Sequence, residues 1–548
     1  MFSRPEPAPD LSLPALSLLF PSGKLPPAPA ATAWEEDIGL NDVLDALQTE
    51  RRHRLFARQV LVALLADESV IGWRQAVLQD LVNNPTLLAD LETLLPKLGG
   101  LDHDTSGMLG GRARNALLEI TDRLSELDLY TESVIELQRA LGQATLHSGA
   151  LQRLQRDLAA LSAQPDFAHL RQELPKLREP LQAIGSLTVA INLDSNLQPS
   201  SAVLVSVQGR QVGATPSFLD RLLGLDPNGA ENGISAVHRF PHEPENRRFH
   251  ELFQDVDRLM QQTAKPIATA LRRYLNTNSQ TLIQLEREFA FFVKAARLML
   301  RLQAQQVAVC MPNIAPMPAR LFALEGLANL RLALQPATQA IANPARFDDE
   351  GRIAILTGPN SGGKTTYLQS VGIAQVMAQA GLFVLAESAQ VSPVDMLLTH
   401  FPRLETRQQG RLAEEAARLR QLFEQVTPYS LVLLNETFSS TAFGEALYLA
   451  QDVLCALCAI GARGVFATHL VELVEQIAFM ERSITPQSHL YSLVAGIESR
   501  ADGDAAPTFR IQRGEPLGRS YAREIAKRHG ISLEQILNGR GSSAPTAK

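Results

Sequence analysis

The sequence predicts a multidomain protein, with a mainly α-helical N-terminal core and lever region followed by an α/β domain over residues 336–548. Three observations predict it. Apolar residues recur at spacings of three and four from residue 37 to 185 and again from 247 to 305. After Pro312, Pro316 and Pro318, strand-like and helix-like segments alternate to the end, as in a mostly parallel sheet with helical crossovers. Within that last part, the apolar stretch Arg352 to Thr357 runs into a glycine-rich loop and then into a helical pattern.

The bulk numbers set limits on this reading. A chain of 548 residues is too long for one core and suggests three or so domains. Hydrophobic residues at 45% and charged residues at 20%, with a mean hydropathy near zero, fit a soluble globular class. The net charge of -7 means that any nucleic-acid contact must come from a local basic surface. Three cysteines are too few for a disulfide scaffold and fit a reducing cytosol. Cys455 and Cys458 form a C-x-x-C, but they sit in the apolar run "DVLCALCAIG", where residues three apart share a buried helix face. With no run of about 18 apolar residues, no transmembrane helix is expected, and the protein reads as cytoplasmic.

Along the chain, residues 1–36 are Pro-rich and read as a flexible or extended arm, with no signal-peptide pattern. Residues 37–185 read as a helical core domain, divided into separate helices at Asn84-Pro85 and Gly99-Gly100. The period then changes to two in "LTVAINLDSNLQPSSAVLVSVQGRQV", a β-hairpin, followed by a Gly/Pro/Asn-rich loop that completes a segment over 186–245. Residues 246–335 hold two long helices, or a helical hairpin, and a linker; such helices serve as levers or as members of an ordinary bundle.

The loop is Gly358-Pro359-Asn360-Ser361-Gly362-Gly363-Lys364-Thr365, followed by Thr366 and "TYLQSVGIAQVMAQA". This matches G-x-x-x-x-G-K-S/T in its proper strand–loop–helix context. Glycines let backbone N–H groups turn inward around a β-phosphate, and the following helix points its positive end at the same anion. Lys364 adds a cation for the β- and γ-phosphates, and Thr365 a hydroxyl for Mg²⁺, so ATP with Mg²⁺ is the expected ligand. A second apolar strand, Leu431 to Leu434, ends in Asn435-Glu436. Asn435 stands where an aspartate usually holds Mg²⁺ through water, and its amide oxygen accepts a hydrogen bond without carrying charge. Glu436 stands where a carboxylate polarises the attacking water. A third strand, "GVFATHL", closes on Thr468-His469 and places an imidazole at the edge of the sheet, where it could sense a γ-phosphate.

With these residues in hand, the region resembles the MutS family of DNA mismatch-repair ATPases. The resemblance rests on "LTGPNSGGKTTYLQSVGIAQVMAQAGLFVLAE", "YSLVLLNETFSST" and "FATHLVEL". It extends less sharply to the helices from about residue 50, to 247–305 and to "FRIQRGEPLGRSYAREIAKRHGISLEQIL" near the C-terminus. The resemblance implies a P-loop NTPase domain of ABC-like type with a C-terminal helix. It also implies a homodimer with composite ATPase sites, and ATP-controlled clamping on DNA. The loop reaching across to the partner would be "QQGRLAEEAARL", with Gly410 and Arg411; it departs from the family pattern because Leu412-Ala413 replace the serine and phenylalanine of repair proteins. The core pattern begins by about residue 40, so no mismatch-reading domain with a Phe-x-Glu wedge is expected, nor a C-terminal nuclease-like domain.

Basic clusters at Arg51-Arg52-His53-Arg54, Arg247-Arg248 and Arg272-Arg273 are the candidates for phosphate contact, each also readable as a solvated helix face. Two functions follow. One is an ATPase that changes its grip on DNA in repair or recombination. The other is a nucleotide-gated protein scaffold in which Asn435 leaves ATP bound and little hydrolysed.

Overall fold

The computed structural model describes residues 9–22, 33–48, 50–106, 116–182, 186–193, 199–208, 265–335, 340–402, 411–439, 441–499, 505–516, 531–532 and 535–536. The loop expected at 227–245, residues 247–264 of the long helical stretch, and most of the C-terminal helix lie outside them. The described chain is a mixture of helices and α/β structure with three sheets, of two, six and four strands. It divides into two compact units, one of residues 1–15, 93–143 and 153–286, the other of 16–92, 144–152 and 287–548. The division does not follow chain order, because helices from the first 92 residues share their core with the α/β part.

In the second unit the N-terminal helices are α1 (Trp34–Asp37), α2 (Leu40–Ala46), α3 (Arg51–Val62) and α4 (Glu68–Asn83). Helix α5 (Pro85–Ser106) follows them directly. The central six-stranded sheet contains β6 (Ile353–Thr357), β8 (Leu397–His400), β9 (Leu431–Asn435), β10 (Arg463–Ala467), β11 (Leu490–Ser499) and β12 (Ala505–Arg513). Its order is β12-β11-β6-β10-β9-β8, parallel throughout except for the β11–β12 hairpin. Strands β6, β9 and β10 are buried at every residue, which is why they read as continuous apolar runs. Gly464 has no alternative at the β10–β9 contact, since a Cβ there would lie 2.3 Å from Val432 O.

A four-stranded sheet, in the order β3-β7-β4-β5, flanks this one in sequence. It comprises β3 (Asn313–Ile314), β4 (Phe322–Leu327), β5 (Asn343–Phe347) and β7 (Ser388–Val391). The helix after the glycine-rich loop, Lys364–Gln379, is buried on nearly all its faces. Two of its polar residues find backbone acceptors: Gln379 donates to Leu65 O and Val394 O at 2.8 and 2.9 Å, and Gln369 donates to Asp37 O at 3.1 Å. Gly372 lets Ile38 approach, as a Cβ there would sit 2.6 Å from Ile38 Cγ2.

Part of the N-terminal segment is packed, which corrects the flexible reading for those residues. Leu16, Leu18, Leu19 and Phe20 are buried without regular secondary structure. Glu288, fully buried, accepts from Ser17 Oγ at 2.7 Å and from Leu18 N at 2.6 Å. Arg74 stacks on the Phe20 ring, 4.6 Å from its centroid, and donates to Leu19 O at 3.1 Å. Burial pushes the Arg74 guanidinium down to about 9, and the negative charge of Glu288 opposes that shift.

In the first unit, α6 (Ala116–Gln143) packs with α8 (Pro165–Gln182), and β1 (Ser186–Leu193) pairs antiparallel with β2 (Pro199–Gln208). The strands of the expected hairpin are therefore present, and its bend lies outside the described residues. Gly99-Gly100 does not divide a helix, contrary to expectation: both lie within α5. The physical reason is close packing, since a Cβ on Gly100 would come 2.9 Å from Leu129 Cδ2. The long helical stretch is broken at 275–279, before α9 (Gln280–Ala304). Arg123 fixes the break by donating to Tyr274 O and Thr277 O at 2.8 and 2.6 Å.

One helix among the described residues, Phe443–Ile460, is long and apolar enough to cross a membrane. Its Ala446, Ala450, Leu454, Leu457 and Cys458 join Val432, Leu434 and Phe466 in the core of the sheet. It is therefore a packed helix of the α/β fold.

Candidate functional site

Strand β6 delivers the chain to Gly358 at the C-terminal edge of the parallel sheet, where ligands of such folds bind. Gly358 has φ +144°, and a Cβ on it would stand 2.7 Å from Ala495 Cβ, so only glycine fits. Ser361 and Gly363 also have left-handed backbones, at φ +68° and +91°. Gly363 caps α11 (Lys364–Gln379), whose first-turn N–H groups are free of intrahelical partners and face the loop. Pro359 and Asn360 complete the curve, and Asn360 is exposed.

Lys364 is buried by its neighbours, and its Nζ donates to Gly358 O and Pro359 O, both at 3.0 Å. Glu436 Oε1 is 3.8 Å from the same Nζ. Burial holds the Lys364 ammonium below the usual lysine range, and Glu436 opposes that shift. Thr365 meets the end of β9: its Oγ1 lies 3.4 Å from Asn435 Oδ1 and accepts from Asn435 Nδ2 at 3.2 Å. The two residues expected at a cation are thus brought together. They offer only neutral oxygens, a chemistry that suits a hard cation such as Mg²⁺ but adds no charge to hold it.

A cavity of about 410 Å³ opens over this edge. Ser361, Gly362, Gly363, Lys364, Thr365, Thr366 and Glu436 line it on the loop side. His469 stands two residues beyond β10, exposed, and is not part of the lining. Gly410 lies outside the described residues, and Arg411 is described only as the first residue of helix α12 (Arg411–Phe423).

Sequence reasoning missed the other wall of the cavity. Leu327, Asn329, Leu332, Ile341, Asn343 and Phe509 come from distant segments that share no motif. Asn343 ties two of them together, donating from Nδ2 to Phe509 O at 3.0 Å and accepting from Ile511 N at 2.7 Å. Phe509, at φ +56° and 46% exposed, is thereby held over Gly363 with its ring open to the cavity. An anion cradle, a lysine and a carboxylate on one side and an exposed aromatic on the other suit a ligand with phosphates at one end and a flat ring at the other.

A family model described as MutS domain V matches residues 354–538, and one described as MutS2 N-terminal domain matches residues 66–305. The chain belongs to the MutS family. Domain V is the ATPase domain of that family. Among MutS relatives, the Endonuclease MutS2 of Thermus thermophilus is 35% identical over 36% of this chain and 25% of its own length. The Endonuclease MutS2 of Thermomicrobium roseum is 29% identical over 55% of this chain and 37% of its own length. The DNA mismatch repair protein MutS of Synechococcus elongatus is 29% identical over 91% of this chain and 57% of its own length. The chain thus spans well under two thirds of each of these MutS relatives.

Two of the basic clusters proposed for phosphate contact are largely engaged within the protein. Arg52 pairs with Glu50 at 3.1 Å and Arg54 with Asp45 at 2.6 Å, and His53 is buried. Arg273 pairs with Asp166 at 2.6 Å. These contacts favour the solvated-face reading, while Arg247-Arg248 lie outside the described residues.

Proposed function

We propose that this chain is a MutS-type ATPase that binds and hydrolyses ATP with Mg²⁺ to control its hold on DNA in repair or recombination, acting in the cytoplasm as a homodimer with composite sites. The observation that carries the ATPase part is the cavity in which the left-handed loop, Lys364, Thr365 and Glu436 converge, with Asn435 hydrogen-bonded to Thr365. In this reading residues 336–548 are a P-loop NTPase domain of ABC-like type. Gly358, Pro359, Asn360, Ser361, Gly362 and Gly363 wrap the β-phosphate, Lys364 exchanges its carbonyl partners for β- and γ-phosphate oxygens, and Thr365 with Asn435 holds Mg²⁺. When bound, Mg²⁺ offsets charge on the phosphate oxygens. Glu436 polarises the attacking water, His469 contacts the γ-phosphate region after closure, and Gly410 and Arg411 reach the partner's nucleotide. DNA as partner and the dimer rest on resemblance to relatives named for mismatch repair and endonuclease activity.

Phe509 is assigned to the adenine ring. Base–aromatic stacking contributes about 1–3 kcal/mol, so Phe509→Ala is expected to weaken ATP binding by about ten-fold while leaving kcat little changed. Equilibrium binding of a fluorescent ATP analogue checks this. An unchanged affinity would remove Phe509 from the site.

The scaffold reading is favoured by one observation, the neutral Asn435 at the cation position. Asn435→Asp restores a full charge near the cation, and is expected to lower the Mg²⁺ concentration for half-maximal turnover by about ten-fold. Steady-state phosphate release from wild type and from Glu436→Gln separates the two readings. An ATPase shows turnover that the substitution removes, and a scaffold shows little in either.

A further inference from the structure

Strand β8 ends on His400, which pairs in register with Leu434 of β9. The imidazole is 4% exposed, and its Nδ1 lies 3.0 Å from the Thr437 hydroxyl, itself 2% exposed. Neither residue lines the cavity; Glu436, the residue before Thr437, does. The turn centred on Thr437 is strained. Glu436 has φ +48° and Phe438 φ +66°, a conformation that L side chains rarely adopt. Such a turn persists only where its surroundings hold it. Glu436 N donates to Ala467 O at 2.8 Å, the Phe438 ring is buried in the sheet core, and the His400–Thr437 hydrogen bond closes the remaining side.

We propose that His400 is a positioning residue for ATP hydrolysis, which through Thr437 holds the strained turn so that the Glu436 carboxylate faces the water at the γ-phosphate. This rests on the ATPase reading above. A carboxylate acting on water contributes only when held within a fraction of an ångström of the productive geometry. Phosphate binding by the loop and Lys364 does not depend on that turn. The signature of the role is therefore a loss in kcat with ATP affinity unchanged.

Thr437→Val removes the hydroxyl at constant shape, Thr437→Ser keeps it, and His400→Leu removes the imidazole. Steady-state turnover, ATP binding and thermal unfolding are measured on the full chain for these variants and the His400→Leu/Thr437→Val pair. Thr437→Val and His400→Leu are each expected to lower kcat by about ten-fold or more, with ATP affinity within two-fold of wild type. The double variant is expected to be no worse than either single one, since both remove the same hydrogen bond, and Thr437→Ser is expected to stay near wild type. Thr437→Val with unchanged kcat overturns the proposal, and so do losses that multiply in the pair. If His400→Leu unfolds, the Thr437 variants alone decide it. An inactive wild type overturns the ATPase reading together with this inference; an active wild type unaffected by Thr437→Val overturns this inference alone.

Discussion

Glu436→Gln is expected to lower steady-state ATP turnover by about 100-fold or more while ATP still binds. The carboxylate is a third exposed at the cavity and 3.8 Å from Lys364 Nζ. Glutamine keeps the size and the left-handed turn but loses the basic oxygen that takes the proton from water. Removing the charge also takes away a competitor of the phosphates for Lys364 Nζ. Affinity should therefore hold or rise slightly. Single-turnover hydrolysis beside equilibrium ATP binding checks this result. Loss of binding together with turnover would mean that Glu436 maintains the cradle, and the general-base role would fall.

The second large effect concerns stability. Glu288→Leu is expected to cost about 3–5 kcal/mol, because it leaves the Ser17 hydroxyl and the Leu18 amide buried without their acceptor and removes the negative charge that offsets the buried Arg74 guanidinium. Glu288→Gln retains an acceptor for the hydroxyl and the amide, and should cost less. In a chain of this size the loss reads as a fall in Tm of several degrees. Urea unfolding followed by two probes, with attention to whether the transitions coincide, gives the free energy. A Glu288→Leu protein as stable as wild type would show that the hydrogen bonds from Ser17 and Leu18 to Glu288 contribute nothing to stability.

The parts of the site legible in the sequence are those whose chemistry is local. Lys364 and Thr365 belong to one strand, loop and helix, and Asn435-Glu436 end one apolar strand, so spacing alone suggested their juxtaposition. The residues that escaped notice act at long range. Asn343, 166 residues before Phe509, sets the ring's position through two hydrogen bonds to β12, and no local pattern marks either residue. His400 ends a four-residue strand whose importance comes only from its neighbour β9. The N-terminal segment misled for a similar reason: prolines and small apolar residues read as unpartnered chain, because the partners Arg74 and Glu288 lie elsewhere. Gly99-Gly100 read as a breaker because helix propensity is a weak prior and packing overrode it.

The chain belongs to the MutS family, and the central proposal is that ATP bound in its domain V changes its hold on DNA. The most direct test is salt-dependent binding of the purified chain to duplex, mismatched and four-way-junction DNA, without nucleotide and with ATP and Mg²⁺, using Glu436→Gln to hold the ATP state. Binding to at least one of these DNAs that weakens with salt and changes several-fold when ATP is bound is the expected result. No binding to any of the three at low salt, with or without ATP, would contradict it.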